Sequence, residues 1–553
     1  MPERHRNLLA LSAAILLGIA AFFAFCGWWV LIPTNIAWLD VGDRAMHQLG
    51  WAFYRAGPWG VPPGSSPLLG IELANSIALV DGLPLLAIPF KLIEQWLPQP
   101  FQYWGYWLLL SFMLQSAFAF RVARELGAGR RVALVAAAFA LIAPAYLYRI
   151  PMHLALSSHW VVLAALFLYV RRVPPSLWMW PLLIGVTSAI HATLLAMVLA
   201  LWGASLLQRL WTRRTPFFPL LLEAFLSLAI GIEILWIVGF FGTDSYTSYG
   251  YGNYRLNLLW PIISYGWSQI VPDLPHARFD YEGLSFLGIG VLALLVLAVL
   301  SGAMAQLRHA LTPHWLPLVL VTVGMMIFAF SKTIGILDVD LFTIPMPGFI
   351  EALGSAFRST GRFVWPLLYV VTIGTVVLVG QRWRPAVSLP IVLVMFVAQA
   401  ADSYPKWHEF ADRMKPPAPT WNIELDSEFW ERAAAAGYNR IRSIPIDIGF
   451  GSDWKDIGYF ALTHGMDTDV AYLGRTDEDA ERALRLHALE VLTSGAFEPR
   501  TIYILSDVRS ALAAAKHAGP ADLLARLDNR IVFVRNGKSL ADGLDTLPFW
   551  PAD

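Results

Sequence analysis

LLALSAAILLGIAAFFAFCGWWVLI, residues 8–32, decides the class of the fold, because 25 consecutive residues carry no charge and about 20 mostly apolar residues suffice to cross a bilayer. The charged start MPERHRN resembles that of a signal peptide, but the apolar run is too long and no small-residue cleavage pattern follows. It reads as an uncleaved anchor. The whole chain agrees: its 553 residues are 57% hydrophobic, 13% aromatic and only 14% charged, where soluble domains are roughly a quarter charged. The fold class expected is an α-helical polytopic membrane protein. A formal net charge of +0 lacks the basic excess of a nucleic-acid binder, so nucleic acid is not an expected partner. Cys26 is the single cysteine and excludes an intramolecular disulfide.

Further runs of spanning length or near it are Tyr103–Phe120, Val132–Tyr148, Ser158–Val170, Leu177–Leu210, Phe217–Gly242, Leu284–Ala305, Pro313–Phe330, Phe363–Gly380 and Ala386–Ala401. Leu177–Leu210 is too long for one span and divides near His191, which makes about eleven spans. Basic residues are retained on the cytoplasmic side. Arg4 and Arg6 place the N-terminus there, and the clusters Arg121 to Arg131, Arg171–Arg172, Arg209 to Arg214 and Arg382–Arg384 all follow if Ser76–Trp96 does not cross. Pro84, Pro89, Asp81 and Lys91 mark that piece as re-entrant or surface-lying. The C-terminus is then outside, and long polar and aromatic segments gather on that face, where binding and catalytic groups concentrate.

The first of these outer segments, residues 33–75, contains WLDVGDRAMHQLGWAFYRAGPWGVPP at 38–63. Asp40 and Asp43 flank Gly42 at a helix start, where Asp is favoured as a cap and the macrodipole steadies its charge. His47 follows Asp43 by one turn, and Met46, Leu49, Gly50 and Phe53 give an amphipathic helix that Pro58 ends. These carboxylates read as catalytic residues, His47 as a substrate contact, and capping as the bland alternative.

In FRSTGRFVW, Arg358 and Arg362 lie four apart at the outer end of a span, with Lys332 at the end of the preceding one. On a helix that spacing shares a face, and two guanidinium forks beside a lysine grip a phosphate. Interfacial anchoring is the alternative. His191 lies in an apolar run, where an ionisable group defaults to a functional hypothesis. Arg149 and His153 sit in the next outer loop. Glu223 and Glu233 lie within a span, to pair with arginines or face a cavity. The 243–267 stretch, TDSYTSYGYGNYRLNLLWPIISYGW, suits sugar rings. Tyr281 and Glu282 follow, and Glu282 either binds an acceptor hydroxyl or caps the next helix.

After Ala401 the composition becomes that of a soluble domain. Residues 1–401 read as the transmembrane domain and 402–553 as an extracytoplasmic α/β domain behind a linker with Pro416, Pro417 and Pro419. Arg442–Ile446, Val470–Leu473, Thr501–Leu505 and Arg530–Val534 read as strands, Asp477–Ser494 and Asp507–His517 as helices. No Gly-rich phosphate loop, metal spacing or nucleophile elbow occurs there, which favours a docking or stabilising module.

Taken together, the acidic first loop, the many spans, the basic residues near the outer ends of later spans and the C-terminal extramembrane domain resemble the GT-C superfamily of membrane glycosyltransferases. More closely, GDRAMHQLGWAFYRAGPW (42–59), SIALVDGLPLLAIPFK (76–91), YEGLSFLG (281–288) and FRSTGRFVWP (357–366) look like the blocks of a bacterial membrane-protein family assigned to that superfamily. The resemblance implies a GT-C-like fold in the bacterial inner membrane and an inverting transfer of sugar from a polyprenyl-phosphate donor to a glycan, lipid or protein acceptor of the envelope. One of Asp40 and Asp43 would be the base, and Arg358, Arg362, Lys332, His191 and Arg149 would hold the donor phosphate. His47, His153, Tyr281 and Glu282 would contact substrate, with membrane lipid as the surrounding partner. A divalent metal at Asp40 and Asp43 stays open, since two carboxylates do not define a shell. The competing classes are a lipid-linked-sugar flippase or other transporter, against which the short arginine-lined inner loops speak, and a non-catalytic envelope assembly protein.

Overall fold

The computed structural model describes residues 3–73, 75–241, 246–247, 250–305, 312–415, 421–446, 448, 453–474, 476–544 and 546. Pro416, Pro417 and Pro419 of the expected linker, and residues 242–245 and 248–249 of the Tyr-rich stretch, lie outside the described residues. In chain order the first helices are α1 (Glu3–Cys26), α2 (Gly42–Ala56), α3 (Pro84–Leu92), α4 (Trp104–Glu125), α5 (Arg130–Leu141), α6 (Pro144–Met152), α7 (Trp160–Val170), α8 (Met179–Ser188), α9 (Ala192–Trp211) and α10 (Phe217–Ile237). There follow α11 (Ile289–Leu300), α12 (Leu316–Ala329), α13 (Gly348–Phe357), α14 (Trp365–Arg382), α15 (Pro385–Asp412), α16 (Glu428–Ala435), α17 (Trp454–Thr463), α18 (Glu478–Ser494) and α19 (Val508–Ala515). The strands are β1 (Tyr246–Thr247), β2 (Thr333–Ile336), β3 (Val339–Thr343), β4 (Arg440–Ile444), β5 (Asp467–Thr468), β6 (Thr476–Asp477), β7 (Thr501–Leu505), β8 (Leu523–Leu527) and β9 (Arg530–Val534).

Among the described residues, six helical segments are long and apolar enough to cross a membrane: His5–Cys26, Trp104–Glu125, Ala192–Trp211, Phe217–Ile237, Thr360–Arg382 and Pro385–Asp412. A seventh arises if α5 and α6, which meet at a 45° bend, form one span. The count of about eleven is therefore corrected. Several expected spans end early: α12 has 14 residues, about 21 Å of helix at 1.5 Å per residue, where the hydrocarbon core is about 30 Å thick. Counting apolar residues overlooks where the helix stops. Pro144 opens α6 and disfavours helix at the residue before it, which explains the α5–α6 bend. The break near His191 is present, and His191 caps α9 by accepting the Thr193 N–H at 3.1 Å. Ser76–Trp96 yields only the nine-residue α3 and a 3₁₀ turn at Glu94–Trp96, so it falls short of a span.

The chain folds as two compact units. The first comprises Met1–Trp38, Gln102–Ile234 and Ser248–Pro417. Its α4 and α14 lie centrally and are mostly buried, whereas most of α1 and α15 is exposed or half-buried. Apolar surface left exposed by a helix of this kind belongs in lipid. Buried polar groups tie the helices: Gln115 donates to the Ala140 carbonyl at 3.2 Å and to the Tyr369 hydroxyl at 2.8 Å, and Ser116 donates to the Ala14 carbonyl at 2.6 Å. Glu223 accepts both Arg209 nitrogens, at 2.5 and 2.8 Å, and the Trp202 indole at 3.2 Å. The pairing expected of Glu223 is thus found.

Contacts gather the arginine clusters at one end of this unit. Arg130 donates to Asn7 at 2.8 Å, the Arg172 N–H to Glu125 at 3.1 Å and Gln381 to the Leu126 carbonyl at 3.1 Å. Arg362 precedes α14 and Arg382 ends it, so these two arginines are separated by roughly the 30 Å that 20 helical residues span.

The second unit comprises Leu39–Phe101, Leu235–Thr247 and Ala418–Asp553. Its five-stranded sheet has the order β5-β4-β7-β9-β8, with β4 parallel to β5 and β7, and β9 antiparallel to β7 and β8. Beyond β5 the chain at Leu68–Gly70 extends the edge: the Gly70 N–H donates to the Thr468 carbonyl at 2.9 Å and the Thr468 N–H to the Leu68 carbonyl at 3.2 Å. Arg442 of β4 pairs with Glu72 at 2.5 Å, and with Asp469 and Glu498 at 3.3 Å each. Thr501–Leu505 and Arg530–Val534 are strands as expected, and Arg442–Ile446 is a strand two residues earlier. Val470–Leu473 is not a strand; the parallel pairing is made by Asp467 and Thr468 before it. Asp477 caps α18 by accepting the Ala480 N–H at 2.7 Å, and Gly495 ends it at φ 75°, an N-cap and C-cap pair written in the sequence.

Candidate functional site

Glu282, in the 3₁₀ turn Asp280–Gly283 ahead of α11, stands between two arginines of the first unit. Arg362 donates from Nε and Nη2 to Glu282 Oε2 at 2.9 and 2.5 Å. Arg149, on α6 and 2% exposed, reaches the same oxygen at 3.0 Å through Nη1 and the Glu282 main-chain carbonyl at 2.8 Å through Nη2. Burial pushes the Glu282 carboxyl up, but the facing Arg149 and Arg362 charges, with the hydrogen bond from Arg362, outweigh it and hold it at about 2. Among the described residues Glu282 is the carboxylate both arginines share, so the trio carries one more positive than negative charge.

Aromatic rings and imidazoles enclose the trio. The Arg149 guanidinium lies 4.9 Å from the Tyr148 ring centre and 5.5 Å from that of Trp365, and Tyr281 meets Tyr148 edge-on at 6.3 Å. His153 is near enough to act on the Glu282 charge, and its ring packs 5.4 Å from that of His191. His159 lies 4.0 Å from Trp365 and bonds the Tyr369 hydroxyl at 2.8 Å. Of the residues expected to bind a phosphate, Arg149, Arg362 and His191 are thus brought together, along with the expected substrate contacts His153, Tyr281 and Glu282.

Two expectations for this unit are corrected. Arg358 and Arg362 do not share a helical face: Arg358 ends α13 with φ 57°, and Arg362 lies in the separate 3₁₀ turn Thr360–Val364. Gly361 between them passes so close to the main chain that a Cβ would sit 2.8 Å from the Arg255 carbonyl, which fixes the break. Arg358 instead lies over the Tyr254 ring at 5.2 Å. Lys332 is paired with Glu351 at 2.5 Å rather than with the trio. Around it Arg255 bonds Asp280 at 3.3 Å and Asp340 at 2.6 Å, and Asn257 donates to Asp280 at 2.9 Å, which holds the 250–283 loop. Glu282 is neither a helix cap nor solvent-facing. The sequence signal at Glu282 is a carboxylate entering an apolar run, in DYE at 280–282, and it does not name the partners. Tyr148 and Trp365, each beside or near an arginine in sequence, were missed.

In the second unit Val41, not an aspartate, occupies the N-cap of α2, and Asp43 lies in its first turn. Asp40 pairs with Lys455 at 2.8 Å and accepts the Asn422 N–H at 3.4 Å. It lines a polar cavity of about 300 Å³ with Asn422, Glu424, Asp453, Lys455 and Asp456. His47 is buried on α2, and one of its ring nitrogens lies within 4.8 Å of an Asp81 carboxylate oxygen. Imidazole and carboxylate both suit a divalent ion, but these two supply only part of a coordination shell.

The family model described as Domain of unknown function (DUF6311) matches residues 15–404, and the DUF6311 C-terminal domain model matches residues 429–535. The chain therefore belongs to the DUF6311 family. No curated protein matches it.

Proposed function

We propose that this DUF6311 protein is a membrane glycosyltransferase of the GT-C type, moving a sugar from a polyprenyl-phosphate-linked donor to a glycan, lipid or protein acceptor of the bacterial envelope. The observation that carries the reading is the Arg149–Glu282–Arg362 trio. An excess positive charge in a partly dry site is costly until an anion joins it, and guanidinium forks match phosphate oxygens in geometry as well as charge. As the bond between the anomeric carbon and the phosphate oxygen breaks, charge grows on that oxygen, and fixed cations stabilise it where it forms. The acceptor oxygen forms the new bond from the opposite side, which inverts the anomeric centre. Its proton passes to a base. The sequence resemblance gives that role to one of Asp40 and Asp43, and this rests on the sequence alone. The arginine clusters at the far end of α14 from Arg362 support a trio facing away from the cytoplasm.

Replacing Arg149 or Arg362 by Lys keeps the charge and removes the fork. Binding of a polyprenyl monophosphate to the full chain in nanodiscs should weaken about tenfold to a hundredfold, as the loss of a charge-assisted bond worth about 1.5–3 kcal/mol implies. Unchanged binding in both variants means that the phosphate is held elsewhere. In sealed inside-out vesicles, labelling of Asp479→Cys by an impermeant maleimide would refute the sidedness alone.

A further inference from the structure

Between α12 and the Arg362 turn the first unit carries an element with two unlike faces. Residues 331–358 form the β2–β3 hairpin and α13. Its inner attachment is close: a Cβ at Gly335 would come within 2.2 Å of the Arg255 guanidinium, and one at Gly354 within 2.4 Å of the Tyr251 ring. The charges of the element are largely spent locally. Lys332 pairs with Glu351 at 2.5 Å, and Asp340 with the buried Arg255 at 2.6 Å.

The other face is apolar and uncovered. After its first residue, Gly348, the exposed positions of α13 are Phe349, Ala352, Leu353 and Ala356, one stripe at i, i+3, i+4 and i+7. Phe349 is 75% exposed, and on β3 Val339 and Leu341, which alternate with the inward Asp340, are 53% and 49% exposed. A free apolar face of this kind needs an occupant. Continuity identifies it. The exposed large apolar residues of α12, Leu320, Val323 and Ile327, form a stripe that reaches the helix end just before Ser331, and the Thr360–Arg382 segment follows directly after α13. The 14 residues of α12 also leave about 9 Å of a roughly 30 Å hydrocarbon core uncovered, and an amphipathic helix beds about 5–10 Å into the headgroup and acyl boundary.

We infer that residues 331–358 are a membrane-surface strap, whose hairpin and α13 lie with their apolar face in the acyl boundary of one lipid leaflet. The strap ends at Arg358 and leads through Gly361 into Arg362, so it fixes that arginine at the edge of the same leaflet. Packing and exposure place this strap, independently of any sugar transfer.

Cys26 is the single cysteine and is buried, so one added cysteine can be spin-labelled selectively. Phe349→Cys and Leu353→Cys, with Asp479→Cys on exposed α18 as the aqueous control, are labelled with a nitroxide in the full chain and reconstituted into phosphatidylcholine–phosphatidylglycerol vesicles. Collisions with oxygen should exceed those with a water-soluble nickel chelate at 349 and 353, with the order reversed at 479. Ala352→Cys repeats the reading on the same stripe should either variant fold poorly. Nickel-dominated relaxation at 349, 352 and 353 overturns the strap. So does spin–spin broadening with neither reagent admitted, which would place a second copy of the chain on that face.

Discussion

Glu282 shows how neighbours can reverse the effect of burial. Desolvation alone would raise its pKa, yet Arg149 and Arg362 bring it from an ordinary 4.5 to about 2. A carboxyl depressed on folding contributes stability that is present above its unfolded value and lost as pH falls towards the folded one. The trio should therefore contribute up to about 3 kcal/mol at neutral pH, and that contribution should decline below pH 4.5 towards pH 2. Denaturant unfolding of the full chain in detergent, followed from pH 6 to pH 3, reads this directly. Glu282→Gln leaves two arginines facing each other without their carboxylate and should cost about 3–5 kcal/mol at pH 7, while flattening the acid limb. An equally steep acid limb in Glu282→Gln would assign the loss to other carboxylates. The residue types of this site are legible in sequence, since arginines fall at the ends of apolar runs and Glu282 stands at the start of another. The pairing is not, because it joins positions 149, 282 and 362, and no local pattern reports which of several basic residues a given carboxylate meets.

At the level of elements, local signals succeeded where one residue decides a local event. His191 divides the 177–210 stretch, Asp477 and Gly495 bracket α18, and the strands at 501–505 and 530–534 fall where β-branched runs lie. Signals failed where a neighbour decides. Asp467–Thr468 became a strand by pairing with β4, while the more apolar 470–473 have no such partner among the described residues of the sheet. Lys91 shows the same dependence on a neighbour. In the sequence it marks Ser76–Trp96 as re-entrant or surface-lying, and in the fold it is 2% exposed, its ammonium donating to the carbonyls of Tyr54, Gly57 and Pro58 at 2.6, 3.0 and 3.2 Å. A cation there satisfies acceptors at the helix end and complements its dipole. Lys91→Met should cost about 1.5–3 kcal/mol, and amide exchange should rise in the last turn of α2 while the distant α18 stays protected. Equal protection throughout would mean that α2 does not depend on this cap.

For the whole molecule, the partition of the chain is the feature least accessible to a reading in order. Hydropathy separates membrane helices from the charged C-terminal residues, but it cannot say where residues 39–101 belong. They fold with the C-terminal sheet. Three contacts make the association specific: Leu68–Gly70 adds to the sheet edge at Thr468, Glu72 binds the nearly buried Arg442, and Leu49 of α2 lies against Gly458 of α17, where a Cβ would meet it at 3.2 Å. Each of these partners is supplied from beyond residue 418, so residues 39–101 have no independent source for them. α2 also shows that such a segment cannot rest on local propensity: 15 residues are marginal for an isolated helix in water, where stability comes from packing an amphipathic face. A chain ending at residue 417 should therefore still insert its spans, whose apolar length is intact, yet lose the fold of 39–101. Limited proteolysis of the truncated protein in detergent should cut within 39–101 at protease levels that leave the full chain uncut there. A segment equally resistant in both would show that it folds without the C-terminal residues, and that the sheet is an appendage to it rather than its core.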